Sequence, residues 1–347
     1  MEFLLEYGLF LAKSVTIVIA VIVVFSAIAV ASQRSKHESS DGHIEVTTLN
    51  HKFEDWEDML KFEILDEDTF KKEHKAKKKQ DKKDKKERKH KTEAPRKRLF
   101  VLDFDGDMSA SEVEFLRHEI SAVLTVAKPE DEILLRLESP GGMVHSYGLA
   151  SSQLQRIRSQ GIPLTISIDR VAASGGYMMA CIGNKILAAP FAVIGSIGVV
   201  AQLPNFNRLL KKHDVDIELH TAGAHKRTLT MVGENTDEGR QKFKEELEDT
   251  HVLFKEFVSE NRPELDIDHI ATGEVWYGRR ALDQKLIDEL CTSDDYLLSK
   301  RTDTDLFSVK YRQKRSLPER LGFAAESAFN RTLNTMLGKL SQNRYWG

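Results

Sequence analysis

RLFVLDFDG (Arg98–Gly106), SEVEFLRHEISAVLTVA (Ser111–Ala127) and EILLRLESPGG (Glu132–Gly142) are the stretches that decide the fold. The first and third are short apolar runs that end in glycine, as buried strands entering turns do. Between them, Val113, Leu116, Ile120, Val123 and Leu124 fall on one helical face, and Ser111 with Glu114 three residues on forms an expected capping box. The alternation continues outward. HSYGLASSQLQRIRSQ reads as helix, IPLTISID as strand, ASGGYMMACIGN as turn and helix, and KILAAP and VDIELH as further strands. A long helix follows, with Phe243, Leu247, His251, Phe254 and Val258 on one stripe, and VWYGRRALDQKLIDEL closes the pattern. Strands spaced by helices predict a single α/β domain with a mainly parallel sheet over residues 98–299.

The flanks differ from this core in composition. Ser14–Ala31 is 18 residues without a charge, about 27 Å as a helix, and with Leu9–Leu11 it predicts a membrane anchor over 9–31. A cleaved signal peptide is the rival, with small residues at Ala29–Ser32; the acidic, apolar start MEFLLEYG favours a retained anchor. Lys13 before the span against Arg34 and Lys36 after it leans toward a cytoplasmic C-terminal side. Residues 32–70 are polar, but Phe53, Trp56, Met59, Leu60, Phe62 and Leu65 have the spacing of a short helix laid on a membrane or on the main domain. The basic run Lys71–Lys91, inside a linker over 71–97, reads as a charged tether; attraction to anionic lipid or nucleic acid is the other reading. Residues 300–347 form a polar, mixed tail. A second uncharged run, Ile186–Leu203, is broken by Pro190, Gly195 and Gly198 and reads as buried core, not a second span.

A net charge of −3 with 30% charged residues argues against nucleic-acid binding by bulk electrostatics, so no nucleic-acid partner is expected. Cys181 and Cys291 make no disulfide framework. No metal-ligand motif stands out and no organic cofactor is called for.

Three glycine-rich turns follow predicted strands: Ser139-Pro140-Gly141-Gly142, Ala173-Ser174-Gly175-Gly176 and Gly195-Ser196-Ile197-Gly198. Any one alone is read most simply as a tight strand-to-helix turn. Together they offer a serine hydroxyl at a turn, with the Gly175 N–H, and Gly141 or Gly142, as candidate oxyanion donors. A nucleophilic serine needs a base. His145, His213, His220, His225 and His251 lie in the domain and stay open as candidates. A lysine base is the other solution. A lysine in water titrates near ~10.4, and bringing an amine near neutrality takes about 4 kcal/mol of desolvation in an apolar pocket. Lys226, after the small residues of Thr221–Ala224, has a suitable context, although composition alone reads it as a surface charge.

Taken in order, Ser-Pro-Gly-Gly, Ala-Ser-Gly-Gly-Tyr, Gly-Ser-Ile-Gly-Val, the lysine at 226 and the closing Trp276–Leu282 and Leu286–Glu289 resemble the S49 peptidase family, of the signal peptide peptidase A type. The span and the GHIEVTTLNHKFEDWEDML segment are similar to its shorter membrane-bound branch. The resemblance implies a ClpP/crotonase-like fold behind one N-terminal transmembrane helix, and a Ser/Lys dyad with Ser174 as nucleophile and Lys226 as base. It implies that Ser196 orients the lysine, that Gly141, Gly142 and Gly175 bind the oxyanion, and that subunits assemble into a homo-oligomer. It also implies polypeptide substrates and the bacterial inner membrane, with the catalytic domain on the outer side, against the charge lean. Two rivals belong to other classes: a crotonase-type acyl-CoA enzyme, which would need no serine at 174, and a catalytically silent membrane scaffold using the basic tether.

Overall fold

The computed structural model describes Thr16, residues 42–76, Lys79, residues 96–223 and residues 225–313. The predicted anchor, most of the basic linker and the tail beyond residue 313 lie outside the described residues, within which no helix is long and apolar enough to cross a membrane. One compact unit spans Ile44–Tyr311; the other, Met1–His43 with Arg312–Gly347, has few described residues.

The predicted βαβ unit is present. β2 (Lys97–Asp105) pairs in parallel with β3 (Glu132–Glu138), with Leu102 opposite Leu135 and Phe104 opposite Leu137. β3 pairs in parallel with β4 (Leu164–Ile168), β4 with β6 (Lys185–Ala188), and β6 with β9 (Glu289–Leu290). The sheet continues outward from β2 through β10 (Thr304–Arg312) to β1 (His43–Thr48), giving the order β1-β10-β2-β3-β4-β6-β9. Its central strands, β2, β3, β4 and β6, are buried on both faces, which is why they read as continuous apolar runs and not as alternating ones. One face packs Leu102, Phe104, Leu135 and Leu137 against the helices Val113–Leu124 (α2) and Val144–Ser159 (α3). The other packs Leu99, Val101, Leu134 and Leu187 against Leu297 of Ser293–Lys300 (α9), with Leu49 and Phe53 of Leu49–Ile64 (α1) alongside.

Four readings of the sequence change. The capping box at Ser111 does not form: the helix begins at Val113, and the Ser111 hydroxyl donates to the Asp107 carboxylate at 2.8 Å. That carboxylate also takes the Ser109 and Ser111 N–H groups, so the turn before the helix, not the helix, uses the serine. VDIELH is irregular and exposed, with no strand partner among the described residues. The uncharged run Ile186–Leu203 splits into β6 and β7 (Val193–Gly195); its first part is core, as expected, but Phe191 and Val200 are exposed. The sheet also takes in β1 and β10, from outside 98–299. Asn50 ties them in, donating to the Arg301 and Thr304 carbonyls and accepting the Leu306 N–H.

Glu119 holds the far end of β10. It is buried on α2 and accepts the Tyr311 N–H at 2.8 Å. Burial raises its pKa to about 7, the Tyr311 N–H opposes the rise, nearby Asp103 and Glu112 add to it, and Lys310 opposes it. The folded chain therefore keeps a proton that the unfolded chain releases above about pH 4.3, and stability falls as pH rises from there to about 7. Glu119→Gln keeps the acceptor without the charge. It is expected to be more stable than wild type at pH 8, by on the order of 2–3 kcal/mol, and no more stable at pH 4. Urea titrations at both pH values check this; equal effects at both would contradict it.

Candidate active site

Three chain segments end side by side. Ser139 pairs in parallel with Ala172, its N–H donating to the Val171 carbonyl and its carbonyl accepting the Ala173 N–H. β5 (Val171–Ala173) pairs in parallel with β7, Ala173 opposite Gly195, and the Ser174 N–H donates to the Gly195 carbonyl at 2.8 Å. β8 (Val275–Tyr277) flanks β7 antiparallel, and the Ser196 N–H reaches the Glu274 carbonyl. Neighbouring strands lie about 4.8 Å apart. The turn Ser139–Gly142, Ser174 and Ser196 thus sit on three adjacent strand ends, as the three glycine-rich motifs suggested.

Ser174 is half-buried and has φ 53° with ψ −119°, a conformation that costs a residue with a side chain about 1–3 kcal/mol. Ser196 repeats the positive φ, at 52°. The backbone is thus bent at both hydroxyls. Gly141, at φ +90°, lies directly on this bend: a Cβ there would come within 2.7 Å of Ser174 Cβ and 2.8 Å of the Gly175 nitrogen. Gly175 opens the helix Gly175–Ala180 (α4), whose Met178 N–H donates to the Ser174 carbonyl, and it packs so tightly on the Tyr147 ring that no side chain fits.

The donors around Ser174 are not equivalent. The Gly141 N–H is already bound, donating to Ser139 Oγ at 3.0 Å. The N–H groups of Gly142 and Gly175 have no hydrogen-bond partner among the described residues. The closing motif acts from behind. Trp276 lies against Gly195, and the Tyr177 hydroxyl of α4 donates to the Leu286 carbonyl at 3.0 Å. Asp288 accepts the Ile186 N–H and the Arg262 guanidinium; burial raises its pKa, but these partners outweigh burial and hold it below the usual carboxylate range.

Lys226 stands apart. It is exposed, on an irregular stretch, with its backbone N–H on the Gly223 carbonyl, and no hydrogen bond joins it to Ser174 or Ser196 among the described residues. His145, His213, His220 and His225 are exposed. His251, on the helix Asp237–Asn261 (α6), has a buried Nε2 without a partner among the described residues. Sequence reasoning missed Tyr147 and Ser139, both fully buried beside the two glycine turns; the Ser139 hydroxyl carries no sequence pattern that separates it from any turn serine.

"Peptidase family S49 N-terminal" matches residues 2–154 and "Peptidase family S49" matches residues 156–306. "Probable protease SohB" of Haemophilus influenzae is 54% identical over 337 residues, covering 95% of either chain. Proteins of the same description from two Buchnera aphidicola subspecies are 50% identical over 308 residues (86% of this chain, 100% of the relative) and 49% over 333 (96% and 97%). The chain belongs to peptidase family S49 and is a peptidase of the serine type.

Gly141→Ala tests how closely the two turns are matched. A methyl group at φ +90° meets Ser174 Cβ, Ala173 O and Gly175 N, and a displacement of about 1 Å at a catalytic centre costs about 100-fold. Peptide hydrolysis is expected to fall at least about 100-fold, with the fold retained by circular dichroism. Near-wild-type rates would show that the turns do not meet this closely during turnover.

Proposed function

We propose that this chain is a membrane-anchored endopeptidase that cleaves polypeptides through a Ser/Lys dyad, in a ClpP/crotonase-like domain. The observation that carries the reading is the adjacency of Ser174 and Ser196 on paired strand ends, with Ser174 bent at φ 53° against Gly141. Neutral Lys226 takes the Ser174 proton, and the alkoxide attacks the peptide carbonyl. The N–H groups of the glycine turns, Gly142 and Gly175 with Gly141 shaping the approach, stabilise the oxyanion. The leaving amine takes a proton from the lysine, and water hydrolyses the acyl-enzyme with the same lysine as base. Ser196, beside Ser174, holds the lysine ammonium.

In this mechanism Lys226 must be carried to Ser174, so the stretch between Val200 and Asn235 folds over the site in the working enzyme. Val200, Leu203, Phe206, Leu209, Val215, Ile217 and Leu219 are exposed along it, an apolar surface that suits burial in a homo-oligomer. The uncharged run Ser14–Ala31 supports an anchor in the bacterial inner membrane; the outer side for the catalytic domain rests on the family resemblance alone, against the flanking charges. A tethered enzyme meets membrane-associated polypeptides or signal peptide remnants as substrates.

The full-length chain in detergent micelles, assayed on casein and fluorogenic peptides from pH 6 to 10, tests this reading. Ser174→Ala and Lys226→Ala are each expected to lower kcat by about 10³-fold or more. The wild-type rate is expected to rise with pH to a plateau. Activity that survives Lys226→Ala would remove the lysine and turn attention to His251; activity that survives Ser174→Ala would remove the nucleophile.

A further inference from the structure

Behind the two turns, buried oxygens form a chain with a single direction. The Tyr147 hydroxyl donates to the Asp107 carbonyl at 2.8 Å, Ser139 Oγ lies 2.6 Å from the Tyr147 oxygen, and the Gly141 N–H donates to Ser139 Oγ at 3.0 Å. A phenol has one proton, here committed to Asp107, so the Ser139 hydroxyl must donate to the Tyr147 oxygen. That leaves a Ser139 lone pair for the Gly141 N–H. Both side chains are 0% exposed, so no solvent competes for these bonds.

The same two residues shape both turns around Ser174. The Gly175 backbone rests on the Tyr147 ring, and a Cβ on Gly176 would come within 2.6 Å of the Ser139 carbonyl oxygen. On the other side, Gly106 fits against both hydroxyls, and its N–H holds the Glu138 carbonyl just before the turn. Asp107, which receives the end of the chain, is itself fixed by the Ser109 and Ser111 N–H groups.

We infer that Tyr147 and Ser139 are positioning residues for peptide hydrolysis, which hold the Gly141 N–H inside the protein and thereby leave Gly142, with Gly175, to bind the oxyanion. The inference rests on Ser174 as the nucleophile. Neither side chain touches substrate. They act by fixing the Pro140–Gly141 peptide, whose N–H they hold, and so the point from which Gly141, at φ +90°, aims the next peptide and its Gly142 N–H; that aim matters when charge develops on the carbonyl oxygen and not when substrate first binds.

The test uses the full-length chain in detergent micelles and a fluorogenic peptide, with Tyr147→Phe, Ser139→Ala, the double variant and Ser174→Ala, each below the onset of its own thermal unfolding. Outright loss of an oxyanion donor costs about 10²–10³-fold; a misaligned one should cost less. Each single variant is expected to lose about ten- to hundredfold in kcat, with KM within about twofold of wild type and the pH dependence unchanged. A peptidyl aldehyde, which forms a tetrahedral adduct on the serine, should weaken by the same factor as kcat. The double variant should be no worse than the weaker single one, because one chain is broken only once. Ser139→Ala removes a single oxygen and carries the test if Tyr147→Phe folds poorly. Wild-type kcat in a folded variant, a loss confined to KM or a shifted pH profile would overturn the inference. If Ser174→Ala is inert while the relay variants match wild type, the relay alone falls; if Ser174→Ala still hydrolyses peptide, the nucleophile falls and takes the relay with it.

Discussion

Ser174 donates its N–H to the Gly195 carbonyl while its own φ stands at 53°, and much of the site's architecture serves to meet both conditions together. The hydrogen bond continues a parallel ladder; the dihedral breaks it in the same residue. A side chain can be kept there only if nothing crowds it from the adjacent turn, and Gly141 provides that space. Only a second glycine lets α4 start immediately, because the Tyr147 ring fills the volume where a Cβ would stand. Such strain is sustained by surroundings that over-determine it. Here those surroundings are β7 on one side, the Ser139 turn on the other, and the closing motif with Trp276 and Leu286 behind.

Much of this arrangement was legible in the sequence because it rests on local chemistry. Apolar runs ending in glycine gave β2, β3 and the turns after β3 and β5, and the periodicity within Ser111–Ala127 gave α2 to within three residues at either end. The readings that failed depend on partners distant in the chain. Ser111 looked like a cap until Asp107 was seen to occupy it. VDIELH alternates like a strand, but a strand needs a neighbour, and no sequence period supplies one. His43–Thr48 and Thr304–Arg312 went unread for the opposite reason: they alternate weakly and become strands because each edge they join is already formed. Ser174, Ser196 and the glycines were singled out by motif order, and the structure brings them to adjacent strand ends. Lys226 was found the same way, yet its surroundings in the single chain are solvent, because the features that would enclose it are not written within a few residues of it.

The partition of N–H groups at the Ser139–Gly142 turn also departs from what motif reading alone provides. Gly141 and Gly142 are indistinguishable as letters, and φ +90° at the first of them is compatible with either donor facing the site. The distinction comes from a buried tyrosine on the following helix and from a serine two residues earlier, whose hydroxyls have nowhere else to go. Specification of a turn from within the core, by groups with no exposure, makes its geometry as rigid as the packing around it.

The position of β10 bears on how the chain comes to be folded at all. β1 lies at the edge of the sheet with β10 between it and β2, and Asn50 closes hydrogen bonds to residues as many as 256 positions away. A ribosome releases β1 early and β10 late. During that interval β1 and the apolar side of α1, with Leu49 and Phe53, have no surface to settle on, whereas β2, α2, β3 and α3 can already condense through near-neighbour contacts. Pairings over such separations are slow to form. Synthesis therefore delivers the strands that carry the three glycine turns before the layer that flanks the sheet is complete.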